Sequence, residues 1–230
     1  VSATQPTDAP EEGILRFEPS PGHRAAHLFV FLHGGGATAR SMVSVAFKFQ
    51  ARFPSAALAV PEGFDPLDTG GAGQQWFALR GLSDDNRLAR VEAMLPRLAS
   101  LVRAEQSLTG VSPERTVLVG FSQGGTVVLE AAKSLPALAG AVVAFSARFA
   151  RLPLAGARLD TRVHLVHGEH DAIVSRVHSE RASRMLEALQ VPVTLDIVGD
   201  LGHALNHQAV SIGSLRLLQG LYQRRRATLH

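Results

Sequence analysis

Five residues, Gly120-Phe121-Ser122-Gln123-Gly124, constrain this chain more than any other stretch. They follow the strand-like run Val117-Leu118-Val119 and precede the helix-like run Thr126–Lys133. A serine at such a junction sits on a very tight turn with a strained backbone. Bulky side chains two residues away on either side would clash, whereas glycines there leave Oγ exposed above a sheet, at the start of the next helix. The plain alternative is a Gly-rich turn carrying an ordinary surface serine. The flanking strand and helix favour the first reading.

The rest of the chain repeats that alternation. Strands are expected at His27–Leu32, Ala56–Val60, Arg115–Phe121, Gly140–Phe145, Thr161–His167 and Val193–Val198. Helices are expected at Ala39–Arg52, Asp84–Gln106 (Ser83 as N-cap, Pro96 as a kink or break), Gly124–Leu135, Ser175–Gln190 and Asn206–Arg224. Glu62–Gly73, rich in Gly, Pro and Asp, reads as a long loop. Strands separated by helices imply crossover connections, hence an α/β chain with a mainly parallel sheet and helices on both faces. No repeat, low-complexity tract or linker divides the 230 residues. One folded domain is expected over 24–224, after an extended, Pro-punctuated segment 1–23 and before a tail 225–230.

A serine hydroxyl is a weak nucleophile and needs a base, itself oriented by a carboxylate. With ten histidines available, position has to decide. His203, in Asp200-Leu201-Gly202-His203, falls between the last strand and the last helix, at the sheet edge where Ser122 lies. His207 falls inside the final helix, and His170 and His178 come before a suitable loop. For the acid, Asp171 lies just beyond the strand Thr161–His167, with Glu169 as its nearest competitor. Asp196 is mid-strand, and Asp200 is only three residues from His203.

Acyl transfer also needs donors for a developing oxyanion. The N–H of Gln123, directly after the serine, is one. The loop His33-Gly34-Gly35-Gly36 after the first buried strand offers the other, because glycines let backbone amides approach a substrate closely. Cys is absent, which excludes a thiol nucleophile, thiolate zinc, Fe–S clusters and disulfides.

Taken in order, Leu32-His33-Gly34-Gly35-Gly36, Gln75-Trp76-Phe77, Gly120–Gly125, His167-Gly168-x-x-Asp171 and Gly202-His203 resemble the phospholipase/carboxylesterase family of α/β-hydrolases. The resemblance runs from about residue 24 to 220. Gln75–Pro96 and Val193–His203 are nearer to its small bacterial carboxylesterases than to the eukaryotic acyl-protein thioesterases. It implies a single-domain α/β-hydrolase fold without a large lid, since residues 147–160 are the one candidate for a cap. It further implies Ser122 as nucleophile, Asp171 as acid, His203 as base, and Gly35 with Gln123 as oxyanion donors, with no cofactor and no metal. The family often carries a bulkier residue at Gly35 and an Asp at Ala37, so a more open or more mobile acyl-pocket wall is expected here. Trp76 and Phe77, in a Gly-rich loop, are candidates for the substrate wall, with plain packing between loop and helix as the alternative.

The function expected is hydrolysis of small or flexible carboxylic esters through an acyl-enzyme. An acyl-protein thioesterase or lysophospholipase with the same residues is the nearest alternative, and a non-enzymatic ligand-binding protein is the minor one. Lys+Arg is 23 against Asp+Glu 20, a formal +3, too little and too scattered to suggest a nucleic-acid partner. The one cluster, Arg224–Arg226, reads as cations closing the final helix against its dipole. No run reaches the ~18 apolar residues of a membrane span. Val1–Pro21 lacks the basic and apolar regions of a signal peptide. The cytoplasm is the default expectation; the absence of an initial Met leaves a removed leader open, and oligomeric state is undetermined.

Overall fold

A computed structural model describes residues 13–227, with side chains described as far as Leu221. Seven strands form one twisted sheet: β1 (Ile14–Phe17), β2 (His27–Leu32), β3 (Ala56–Pro61), β6 (Thr116–Phe121), β7 (Ala141–Phe145), β8 (Arg162–Gly168) and β9 (Val193–Val198). Their order across the sheet is β1-β3-β2-β6-β7-β8-β9. Every pairing is parallel except β1 with β3. A separate two-stranded hairpin, β4 (Asp65–Pro66) and β5 (Gln74–Gln75), lies in the excursion between β3 and the next helix.

The central strands are apolar at successive positions because both faces of the sheet are covered. Alternation divides their side chains between two cores. Leu28, Val30, Leu32, Leu118 and Val142 pack under α2 (Asp84–Thr109), α3 (Gln123–Ser134) and α4 (Val177–Ala188). Phe29, Phe31, Val117, Val119 and Val143 pack under α1 (Val43–Arg52) and α5 (His207–Ala227). The architecture is that of an α/β-hydrolase. Residues 146–161 between β7 and β8 contain no helix or strand.

Three local expectations need correcting. Ile14–Phe17 is not a free extended segment: it pairs with β3, and Arg16 holds Glu105 of α2 through Nη2 at 2.7 Å and Nε at 3.0 Å. The folded unit therefore begins before residue 24. Pro96 does not break α2, which runs on to Thr109. It is exposed, as is Glu92, whose carbonyl Pro96 deprives of a donor, so water can satisfy that group. The backbone of Arg224–Arg226 continues α5 to Ala227; the side chains of that cluster, and residues 1–12 of the expected N-terminal segment, lie outside the described residues.

Candidate active site

Ser122 sits between β6 and α3 with φ 53° and ψ −111°, a left-handed backbone that costs energy outside glycine. The neighbouring glycines are sterically required. A Cβ on Gly120 would lie 2.3 Å from the Gly124 carbonyl oxygen, and one on Gly124 would lie 2.3 Å from that of Leu32. The Ser122 N–H donates to Phe145 O at 2.9 Å, which fixes the turn against β7.

The structure brings together three side chains from three strand ends. Ser122 Oγ–H donates to His203 Nε2 at 2.8 Å, and His203 Nδ1–H donates to Asp171 Oδ2 at 2.8 Å. The loops after β8 and β9 are packed together to allow this: His170 N–H bonds Leu201 O at 2.9 Å, and a Cβ on Gly168 would lie 2.4 Å from Gly202 O. Asp171 Oδ1 accepts the Ile173 and Val174 amides at 3.0 and 2.8 Å. Burial pushes the Asp171 carboxyl upward, but the bonds from His203, Val174 and Ile173 outweigh it and hold the acid below the ordinary carboxylate range. Glu169, its competitor in sequence, is exposed and faces His170.

Sequence reasoning missed a second imidazole at this carboxylate. His167 is fully buried, with Nε2 3.2 Å from Asp171 Oδ2 and 2.7 Å from Val174 O. Its Nδ1 is 2.7 Å from Ser179 Oγ, which in turn lies 3.2 Å from Ala147 O. The spacing of His167 and Asp171 was visible in the motif, but a strand-end histidine gives no sign that the loop folds back onto it.

The other side of Ser122 is made of backbone. The Gly34 carbonyl accepts His33 Nδ1–H at 2.8 Å and Ala37 N–H at 3.1 Å. In a planar trans peptide the Gly35 N–H must then point the opposite way. The Gln123 N–H is the first of α3 and has no intrahelical partner. Among the described residues neither amide has an acceptor. His33 Nε2 accepts the Gly63 N–H at 2.9 Å, so the ring is neutral; burial, above all, lowers its pKa, against the Gly34 carbonyl and Glu62.

Trp76 and Phe77 are core residues, 0% and 5% exposed, not a substrate wall. Trp76 Nε1–H donates to His33 O at 2.8 Å, and the Trp76 N–H donates to Gln123 Oε1 at 2.9 Å. Gln123 Nε2 donates to Phe77 O at 2.7 Å. These residues brace the two amide-bearing segments from behind. Nor is the wall beside Gly35 open: a Cβ there would meet Leu79 Cδ1 at 2.7 Å. Leu79 fills that space, and the Asp68 carboxylate fixes it by accepting the Leu79 and Arg80 amides at 3.1 Å each. No periodicity in the sequence signals this. A groove of about 690 Å³, lined by residues including Ile14, Glu62, Phe64 and Arg97, lies behind His33 and holds none of Ser122, His203 or Asp171.

Comparison with known proteins gives the family. The family model described as Phospholipase/Carboxylesterase matches residues 18–214. The chain belongs to this family of ester-bond hydrolases. It is 39% identical to Esterase YpfH of Escherichia coli (strain K12) over 191 residues, covering 83% of this chain and 82% of that protein. Acyl-protein thioesterase 1 of Cryptococcus neoformans is 30% identical over 182 residues, covering 73% and 75%. Among solved structures, esterase PE8 superposes with a TM-score of 0.82 at 26% identity, covering 90% of this chain and 98% of its own. Among the described residues no helix is long and apolar enough to cross a membrane, and no group of His, Cys, Asp and Glu could hold a metal ion.

Proposed function

We propose that the chain is a serine carboxylesterase that cleaves small or flexible carboxylic esters through an acyl-enzyme on Ser122. The observation that carries this is the continuous hydrogen-bond chain Ser122–His203–Asp171, 2.8 Å at each step. His203 takes the Ser122 proton as Oγ attacks the ester carbonyl. The Gly35 and Gln123 amides receive the oxyanion, and Asp171 holds the imidazole tautomer and stabilises the imidazolium. His203 then returns the proton to the departing alcohol, and water repeats the cycle on the acyl-enzyme. His167 Nε2, which bonds Val174 O, lies 3.2 Å from the same Asp171 oxygen and borders the carboxylate without touching Ser122. No step needs a cofactor or metal.

Substrate size follows from what stands over Ser122. The irregular segment 146–161 is too short for a large lid, and Leu79 closes the space beside Gly35. Both favour short acyl groups. A fluorophosphonate probe tests the nucleophile: label on Ser122, lost in Ser122→Ala, is expected, and an unlabelled protein returns the chain to a ligand-binding role. Rates on p-nitrophenyl esters from acetate to palmitate test the size, and a maximum at the longest chains overturns it. The resemblance to an acyl-protein thioesterase supports a second reading with identical chemistry. Faster turnover of a long-chain acyl-thioester peptide than of a short ester would favour that reading.

A further inference from the structure

Arg148 and Arg87 form a cationic site that the chemistry above does not use. Arg148 follows β7, and Arg87 lies in the first turns of α2; both guanidiniums converge on one carboxylate oxygen. Asp84 Oδ1 is 3.1 Å from Arg148 Nη1 and 3.3 Å from Arg87 Nη2. The two arginine side chains are only 21% and 19% exposed, while Asp84 is 73% exposed. Arg87 Nε is buried with no acceptor among the described residues. Arg148 Nη2 and Arg87 Nη1 also have none there. The remaining charged neighbours are cationic or titrate to a cation: Arg181, and His178 at the start of α4, whose pKa is lowered by burial and then by Arg148 and Arg181. Cations thus outnumber anions in a half-buried spot, where each charge is costly without a partner.

The position points to substrate. α2 and α4 begin, and β7 ends, at the carboxyl edge of the sheet that carries Ser122. Two contacts tie the start of this loop to the reacting residues. Phe145 O accepts the Ser122 N–H, and Ala147 lies against Gly125 in the first turn of α3, its Cβ 2.5 Å from where a Gly125 Cβ would be. Ala147 O also receives Ser179 Oγ, which touches His167 and, through it, Asp171. Arg148 is the next residue along.

We propose that Arg148 and Arg87 bind a carboxylate carried by the substrate, which makes half-esters of short dicarboxylic acids the preferred substrate class. Guanidiniums with free N–H pairs match a carboxylate geometrically, and a charge-assisted hydrogen bond gives about tenfold or more in affinity. The inference rests on the ester-hydrolase reading. Monoethyl succinate, glutarate and adipate are compared with ethyl butanoate, pentanoate and hexanoate, which replace the carboxylate by a methyl group. For at least one length the half-ester is expected to exceed its neutral partner about tenfold in kcat/KM, an advantage that added salt reduces. Arg148→Gln should cut that ratio at least fivefold, and Arg148→Lys should cut it less. Glutarate itself should inhibit the native enzyme competitively, which needs no variant. Half-esters poorer than neutral esters at every length, or a ratio unmoved by Arg148→Gln, would overturn the proposal while leaving the esterase reading intact. No turnover of either series, with Ser122 unlabelled, would overturn both.

Discussion

On one side of Ser122 the groups proposed to react are side chains on short loops; on the other they are backbone amides aimed by buried side chains. His203 and Asp171 reach each other directly from the ends of β9 and β8. Gly35 and Gln123 offer only N–H groups. These are oriented by His33, by Trp76 and by the Gln123 amide, all 6% exposed or less. Each side contains a buried histidine, His167 or His33, but only His203 changes charge in the proposed mechanism. The difference is one of duty. In the proposed mechanism the acid–base side passes a proton, whereas the oxyanion side keeps a fixed pattern of backbone dipoles.

The largest effect should come from the titrating side. Asp171→Asn keeps the shape and removes the charge that holds His203 in its tautomer, so kcat should fall about 10³–10⁴-fold with the fold intact. Turnover numbers at matched stability check this, and a loss under tenfold would mean that His203 is oriented by something else. Because His167 Nε2 also lies 3.2 Å from Asp171 Oδ2, His167→Asn should lower kcat and move the acid limb of the pH–rate profile. A packing role alone would lower stability and leave that limb in place.

These two sides were not equally legible in the sequence. Ser122, Asp171 and His203 could be picked out because side-chain chemistry leaves residue types at fixed places relative to strand ends. The parallel strands and most helices were legible too, through continuous apolar runs and flanking glycines. The oxyanion side hid its builders. Trp76 in a Gly-rich loop looks like a surface aromatic until β4 and β5 fold the excursion back over His33. Leu79 is one apolar residue among many, and its place depends on an Asp68 contact eleven residues away. β1 was missed for a related reason: four residues show little periodicity, and the strand is anchored by the distant Glu105.

The next largest effect reads the buried histidines by pH. Burial, with Arg162, lowers the His164 pKa to about 4, and burial also lowers those of His33 and His167. An unfolded histidine takes its proton near pH 6.5, so between there and about pH 4 the unfolded chain binds more protons. The stability contributed by neutral burial is thus fully present above pH 6.5 and is lost as pH falls towards 4. For His164 the loss amounts to about 3 kcal/mol. Denaturant melts at pH 7 and pH 4.5 should show the decline, and His164→Gln should flatten it. An unchanged slope would mean that His164 is protonated in the fold.

A smaller effect tests the bracing. Gln123→Leu leaves the backbone N–H proposed to receive the oxyanion but strips partners from the buried Trp76 N–H and Phe77 carbonyl. Each unpaired group costs about 1–3 kcal/mol. The expected result is a lower Tm together with a kcat reduced about tenfold, since the amides lose their common support. A lower Tm with unchanged kcat would show that the oxyanion amides hold their aim without Gln123.

The smallest effect concerns shape alone. Gly35 and Leu79 share one volume: a Cβ at Gly35 would lie 2.7 Å from Leu79 Cδ1 and 3.2 Å from Gln123 Oε1. Leu79→Ala should open the wall and move the preferred acyl chain longer by about two carbons, with rate changes of a few-fold, in line with the small discrimination that a methylene provides. Gly35→Ala alone should push Leu79 aside and lower activity on every ester. In the double variant the new methyl group occupies space that Leu79 has vacated, so activity should return in part. That non-additivity is the decisive reading, because groups in contact couple and distant ones do not. Additive losses would mean that Leu79 packs on the excursion without bounding the acyl site, leaving the oxyanion side as support only.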